Sequence, residues 1–326
     1  MQGDECVSVL VIAYNSSQTI LETLNSIAAQ TYPYLELIVA DDCSTDNTKA
    51  IAQAWMRVHS ARFLRMEVVA QPRNLGVGKN VNAAYAAARC EWVKSIAADD
   101  IMMPSCVEDY VHFVSTHSCD GFVLSNMRLF YEENGAKRYS YDALLRFRLH
   151  KLNGMSNREQ YIDMLKGRVL ASPSIFVKRE VLEAIGGYDT TYKNHEDWLT
   201  YLHYLEAGYT FAFMDKISIS YRIAPSVSHP AREEVFNIAH IQNVFRIQRE
   251  YCNPRIRWWH FAYYESAGLD WLKYQIIVHF FHNRNNWATL TLSRIVSALK
   301  IMDWQRRREE KIAKQGWGFD ECSLKS

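Results

Sequence analysis

The chain has 326 residues and a mass of 37.9 kDa, room for one large α/β domain or one domain with an appendage. Apolar residues make up 48%, enough for a sizeable core, which excludes wholesale disorder. With 37 Lys+Arg against 36 Asp+Glu the formal charge is +1, so the chain is not expected to bind nucleic acid through its overall charge. The seven cysteines (Cys6, Cys43, Cys90, Cys106, Cys119, Cys252, Cys322) are scattered and contain no CxxC pair. They read as free thiols of a reducing compartment, not as a disulfide frame or zinc site. A strand-like run begins at Val7 with no basic, apolar leader before it, so no signal peptide is expected. Nowhere do about eighteen apolar residues follow one another, so no membrane span is expected and the location read from the sequence is cytoplasmic.

Up to about residue 125, strand-like and helical stretches alternate. Val7–Ile12 predicts a first strand, and Ser16–Ala29 a helix with Ile20, Leu24 and Ile27 on one face and Thr19-x-x-Glu22 as a capping box. Leu35–Ala40 predicts a second strand, followed by polar Asp42-Cys43-Ser44-Thr45-Asp46 and a helix through about Val58. Arg62–Val69 reads as a third strand, Gln71–Gly76 as a loop, Gly78–Ala88 as a helix, and Glu91–Ala97 as a fourth strand ending in Asp99-Asp100. Pro104 suits the first turn of another helix. This rhythm predicts a largely parallel sheet flanked by helices. Residues 126–172 are less regular, with a hairpin turn at Glu132-Glu133-Asn134-Gly135. A short strand at Ser174–Val177, a helix ending at Gly186-Gly187, a helix from His195 to Ala207 capped by Gly208, and two short strands at Thr210–Met214 and Ile217–Arg222 follow. From about Arg232 the chain reads as helical and aromatic-rich.

In parallel α/β sheets ligands bind beyond the carboxyl ends of the strands. Here those ends carry Tyr14-Asn15-Ser16, Asp41-Asp42 and Asp99-Asp100. The turn after the first strand contains no glycine, which excludes a dinucleotide fold at its diagnostic position, and GxxxxGK[ST] is absent. Paired carboxylates suit one hard divalent cation that also touches a diphosphate. In glycosyl transfer the diphosphate leaves, and a cation stabilises its growing charge.

The ordered pieces in the stretch Val7–Thr48 (Tyr14-Asn15, Gln30-Thr31-Tyr32-Pro33, Asp41-Asp42-x-Ser44-x-Asp46) recur with Asn74-Leu75-Gly76, Ala98-Asp99-Asp100, His195-Glu196-Asp197-Trp198, and Tyr221-Arg222 with Ser226 and Ser228. Over roughly residues 5–230 this resembles the family 2 glycosyltransferases. The resemblance implies a GT-A fold, a Rossmann-like and mostly parallel sheet, here with a helical C-terminal extension. It divides the chain into a catalytic domain at 1–230 and a helical region at 231–326. Within the former, 1–125 would bind the nucleotide sugar and 126–230 the acceptor.

The same resemblance implies roles. Asp42 would read the base by accepting N3–H of uracil or thymine, and Tyr14 and Asn15 would line the nucleoside pocket. Asn74 would help bind the nucleotide sugar, and Lys79 would meet a ribose or phosphate oxygen, although Lys79 reads more readily as a solvated surface lysine and sits in Gly78-Lys79-Asn80 where many relatives have Ala-Arg-Asn. Asp99 would face the ribose or sugar, and Asp100 would hold Mg²⁺ or Mn²⁺, both suited to oxygen ligands. Asp197 is the candidate general base of an inverting transfer. Glu196 would orient either the acceptor or Asp197. Arg222 would bind phosphate or form an ordinary ion pair, and His229 would reach the metal or diphosphate from a loop or lie on the surface. Asp42, Asp100 and Asp197 would thus surround one cleft.

The resulting expectation is a metal-dependent, inverting glycosyltransferase with a UDP- or dTDP-sugar donor. Its acceptor would be a saccharide or lipid-linked saccharide of cell-surface polysaccharide synthesis. The transmembrane helices and Gln-x-x-Arg-Trp motif of processive synthases are absent, which favours transfer of single sugars. Two alternatives are a sugar-1-phosphate nucleotidyltransferase, against which the glycine-free turn argues, and a non-catalytic sugar-nucleotide-binding protein. In the last ninety residues Trp258, Trp259, Trp271, Trp287, Trp304 and Trp317 concentrate beside basic Arg306-Arg307-Arg308. These helices read either as packing on the catalytic domain or a second subunit, or as a peripheral contact with an anionic membrane.

Overall fold

A computed structural model describes residues 6–167, 172–223 and 234–316. Its centre is a nine-stranded sheet built from β1 (Val7–Ala13), β2 (Leu35–Asp41), β3 (Arg65–Ala70), β4 (Trp92–Ala97), β5 (Ile101–Met102), β6 (Phe122–Glu133), β7 (Ala136–Tyr141), β8 (Phe176–Lys178) and β9 (Phe211–Arg222). The order is β3-β2-β1-β4-β8-β6-β9-β5, with β7 on β6. β3, β2, β1 and β4 are parallel, so their carboxyl ends open on one edge. β8 joins this half to β6 by antiparallel pairing on both sides, and β6 and β9 run parallel.

The strands are apolar on both faces because helices cover both. Val9, Val11, Leu37 and Val39 share one core with α1 (Ile20–Ala28), α2 (Thr48–Val58) and α4 (Cys106–Thr116). Leu10, Ile38 and Ala40 face the other way, into a core with α3 (Val77–Ala87), α5 (Ala143–Leu152), α6 (Asn157–Leu165) and α8 (Glu196–Glu206). The short α7 (Arg179–Ala184) links β8 to the loop before α8. Four further helices, α9 (Ile238–Ile247), α10 (Phe261–Phe281), α11 (Trp287–Leu299) and α12 (Ile301–Gly316), form the C-terminal part, and Ile247, Cys252, Ile256 and Tyr263 join the second core.

The expected elements are present, with three adjustments. α1 starts at Ile20, not Ser16, because the loop before it is drawn elsewhere: Ser16 N–H donates to Thr48 Oγ1 at 2.7 Å and Ser17 N–H to Asp46 Oδ2 at 3.0 Å. The capping box does not form; Thr19 donates to the Ala98 carbonyl at 2.9 Å, and Glu22 pairs with Lys137 and Arg222. The two short strands expected at 210–222 are one strand, β9, whose register against β6 slips where Asp215 and Lys216 intervene between Met214 and Ile217. The hairpin turn is as expected, with Asn134 at φ 52° and Gly135 at φ 75°, the left-handed pair that a two-residue turn needs.

The cysteine expectation needs correction. Cys6, just before β1, is bonded to Cys90, just before β4, with Cα atoms 5.4 Å apart. The neighbouring parallel strands bring together residues 84 apart in sequence. Alkylating the unfolded, unreduced protein should therefore block five of the seven cysteines, and all seven after reduction. Labelling of all seven without reductant would refute the pair. By loop-closure entropy the cross-link would stabilise the fold by up to about 4.6 kcal/mol, seen as a lower Tm on reduction.

Candidate active site

The loops after β1 and β2 are locked to each other. Asn15, in the left-handed region at φ 49°, accepts Thr45 N–H at 2.8 Å and donates its own N–H to Ser44 Oγ at 2.8 Å. Asp46 accepts the N–H groups of Ser17 and Thr48 at 3.0 and 2.9 Å. Desolvation opposes its ionisation, but the bonds from Thr48 and Ser17 outweigh it and hold the Asp46 carboxyl well below the usual range. Tyr14 is left half-exposed above this loop pair.

Asp42 has a structural task beside the role expected of it. Its buried carboxylate accepts Leu75 N–H at 2.7 Å and Gly76 N–H at 2.8 Å, one on each oxygen. In this structure it fastens the Asn74-Leu75-Gly76 loop, and base reading would have to use the remaining lone pairs. Asn74 and Lys79 are exposed on that loop and at the start of α3. Asn80 donates to the Ala40 carbonyl at 2.9 Å and pins α3 to the end of β2.

At the end of β4, Asp100 is fully buried. One oxygen accepts the Arg222 backbone N–H at 2.9 Å, while Oδ2 has no hydrogen-bond partner. Burial, and then the neighbouring Asp99, push the Asp100 carboxyl up to about 8; burial also raises Asp99. A buried, partnerless carboxylate oxygen beside a second carboxylate fits a hard divalent cation. Among the described residues no third His, Cys, Asp or Glu joins them, so the remaining ligands would be phosphate and water. Of the two readings of Arg222, phosphate ligand or ion pair, the structure shows ion pairs. Its guanidinium pairs with Glu22 and with Glu132 at 2.5 Å and donates to the Asp99 carbonyl at 2.8 Å. His229, with Ser226 and Ser228, lies outside the described residues.

Glu196 and Asp197 open α8, where acids complement the helix dipole. Asp197 accepts from Ser172 Oγ and from the Trp198 N–H at 2.8 Å. Trp198 is itself fixed by a 2.9 Å bond to the Met164 carbonyl. Burial, with Asp197 adding, raises the Glu196 carboxyl to about 7. The His195 ring packs at a tilt against His240, 4.4 Å between ring centroids, which ties α8 to α9. Gly78 explains the departure in the third-helix motif: a Cβ there would come 3.1 Å from Glu196 Cβ, so the glycine lets α3 approach the acid pair.

Lys94 is the residue that sequence reasoning missed. It is fully buried on β4 and donates from Nζ to the Ser95 carbonyl at 2.8 Å and the Pro173 carbonyl at 2.6 Å. Burial lowers it to about 8, with Cys106 and Asp100 opposing. It thus connects the strand that ends in Asp100 to the residue after Ser172, which holds Asp197. A lysine inside the apolar run Trp92–Ala97 was the available signal.

Glu196 and Asp197 line a cavity of about 810 Å³ that extends between α5, α6, α9, α10 and α12, and neither Asp42 nor Asp100 lines it. Asp42 is linked to that region through the segment from Leu75 to Gly78, and Asp100 through Lys94.

Comparisons with known proteins bear on this arrangement. The model for "Glycosyl transferase family 2" matches residues 8–186. The putative teichuronic acid biosynthesis glycosyltransferase TuaG of Bacillus subtilis is 26% identical over 217 residues, 67% of this chain and 79% of that protein. The poly(ribitol-phosphate) beta-N-acetylglucosaminyltransferase TarS of Staphylococcus aureus is 34% identical over 115 residues, 35% of this chain but only 19% of that much longer protein. The crystal structure of S. aureus TarS 1–349 in complex with UDP-GlcNAc superposes with a TM-score of 0.54 at 20% identity, covering 96% of this chain and 93% of that one. A mannosyltransferase from Pyrobaculum calidifontis in complex with GDP-Man and Mn²⁺ gives 0.50 at 18% identity, covering 96% and 76%. At these identities the structural likeness concerns the fold.

Proposed function

The chain belongs to glycosyltransferase family 2, and on that premise we propose that it moves a single sugar, with inversion, from a UDP-sugar to a saccharide of a cell-surface polymer. The observation that carries this reading is the buried, partnerless Asp100 Oδ2 beside Asp99, at the strand end where the locked loops leave Tyr14 and Asn74 exposed. Asp100 and Asp99 would hold Mg²⁺ or Mn²⁺, which, when bound, offsets the charge that develops on the departing diphosphate. Arg222 fixes Asp100 from behind through its backbone N–H. Asp42 shapes the loop that presents Asn74, with Lys79 just beyond it toward a phosphate. On the acceptor side Asp197, oriented by Ser172, takes the proton of the attacking hydroxyl as the new bond forms, and Glu196 raises the negative charge around it.

The names of TuaG and TarS support an acceptor from envelope polymer synthesis, and the UDP-GlcNAc complex supports a UDP-sugar. We assign the nucleotide-binding half to 1–125, the acceptor half to 126–230 and a helical region to 231–326, acting in the cytoplasm. Among the described residues no helix is long and apolar enough to cross a membrane. Membrane contact or self-association through the exposed Trp258, Trp287 and Trp304 stays part of the proposal.

The test is a panel of UDP-, dTDP- and GDP-sugars, assayed for binding and slow donor hydrolysis with Mg²⁺ or Mn²⁺ and with EDTA. A UDP-sugar should be bound and hydrolysed only with the cation. Equal turnover in EDTA, or no binding of any sugar nucleotide, would overturn the reading.

A further inference from the structure

Where the cavity at Glu196 and Asp197 ends, a second hollow of about 740 Å³ continues between α6 and the segment before α10. The two share Arg148, Asp163 and Lys166 as common walls. The second hollow is rich in cations, but several are neutralised. Glu309 pairs with Arg148 at 3.1 Å and Lys151 at 3.3 Å, and Glu206 pairs with Arg255 at 3.1 Å. Of its two acids, Glu159 is occupied at its helix start, where it accepts the Ser156 N–H at 2.8 Å, and Asp163 stands at the wall shared with the first cavity. Arg158 and Arg257 carry no acidic partner among the described residues. Arg257 instead lies 4.8 Å from the ring centroid of Trp259, whose indole is half-exposed in the same hollow.

An indole face next to uncompensated guanidinium groups is a platform for a sugar ring that also bears an anion. The guanidinium fork matches carboxylate and phosphate oxygens alike. We propose that this groove is the track for an anionic glycan acceptor, carrying a carboxylate or phosphate on its repeats, whose terminal hydroxyl lies at Glu196 and Asp197. The proposal rests on the reading of that pair as the proton-accepting end of the site. A neutral glycan would fill the hollow but leave Arg158 and Arg257 without a counter-charge. A free phosphate would pair one arginine and leave Trp259 bare.

The full chain should be titrated with a galacturonate oligomer, a glycerol-phosphate oligomer, a neutral cello-oligosaccharide of equal length and inorganic phosphate. Wild type should bind one of the two anionic oligomers about ten-fold more tightly than the neutral one, and which oligomer wins identifies the anion. Raising NaCl from about 50 to about 500 mM should erode that preference. The R158Q/R257Q variant should lose it while keeping its Tm and its affinity for a UDP-sugar. Equal binding of anionic and neutral oligomers, a preference kept by the double variant, or full competition by inorganic phosphate would overturn the proposal. If the oligomer preference holds but no sugar nucleotide binds, the groove stands and the transferase reading falls.

Discussion

Asp197→Asn should lower kcat by ~10²–10⁴-fold while leaving the Kd for a UDP-sugar within about two-fold. The substitution isolates chemistry from architecture. An asparagine Oδ1 can still accept the Trp198 N–H, and its amide can donate to Ser172 Oγ, so both partners of the present carboxylate are retained. Only the capacity to take a proton is lost. The rate itself should rise as pH passes through about 7, where Glu196 ionises, because a carboxyl raised by burial is neutral below that value and charged above it. In Glu196→Gln the rising limb should disappear from that range. Full turnover by Asp197→Asn, or an unchanged limb in Glu196→Gln, would show that the proton goes elsewhere.

Asp100→Asn should abolish cation-dependent turnover, a loss of ~10³-fold or more, without weakening the fold. The sign of the second half follows from linkage. The Asp100 carboxyl is raised to about 8 in the folded chain, against about 3.9 when unfolded. Its contribution to stability is therefore complete below the unfolded value and is lost as pH rises through about 8. A neutral asparagine carries no such loss. In cation-free thermal melts the variant should match wild type near pH 4 and exceed it in Tm by a margin that grows up to about pH 8. A variant less stable than wild type at pH 8 would mean that Asp100 is a structural anchor and not a ligand held in readiness.

The parallel half of the sheet was legible because its strands are uninterrupted apolar runs and its helices carry a 3.6-residue period. Acids at the carboxyl ends of β2 and β4 were legible for the same reason. What escaped were contacts between distant residues. Glu22 looked like a capping residue three places after Thr19, yet its partners Lys137 and Arg222 are 115 and 200 residues away. Nothing local distinguishes an acid that caps a helix from one that waits for such a partner. A strand-end aspartate such as Asp42 carries no local mark of the two amide hydrogens from residues 75 and 76 that the fold places on its oxygens. Cys6 and Cys90 could be paired only once β1 and β4 were known to be neighbours.

Lys94 has a consequence for how such a site can diversify. One buried ammonium group ties the strand that leads to Asp100 to the Ser172-Pro173 segment that holds Asp197. On the proposed function this makes a shared pivot for the two ends of the site, so a change at Lys94 should disturb both ends together, whereas a change in a surface loop should disturb one.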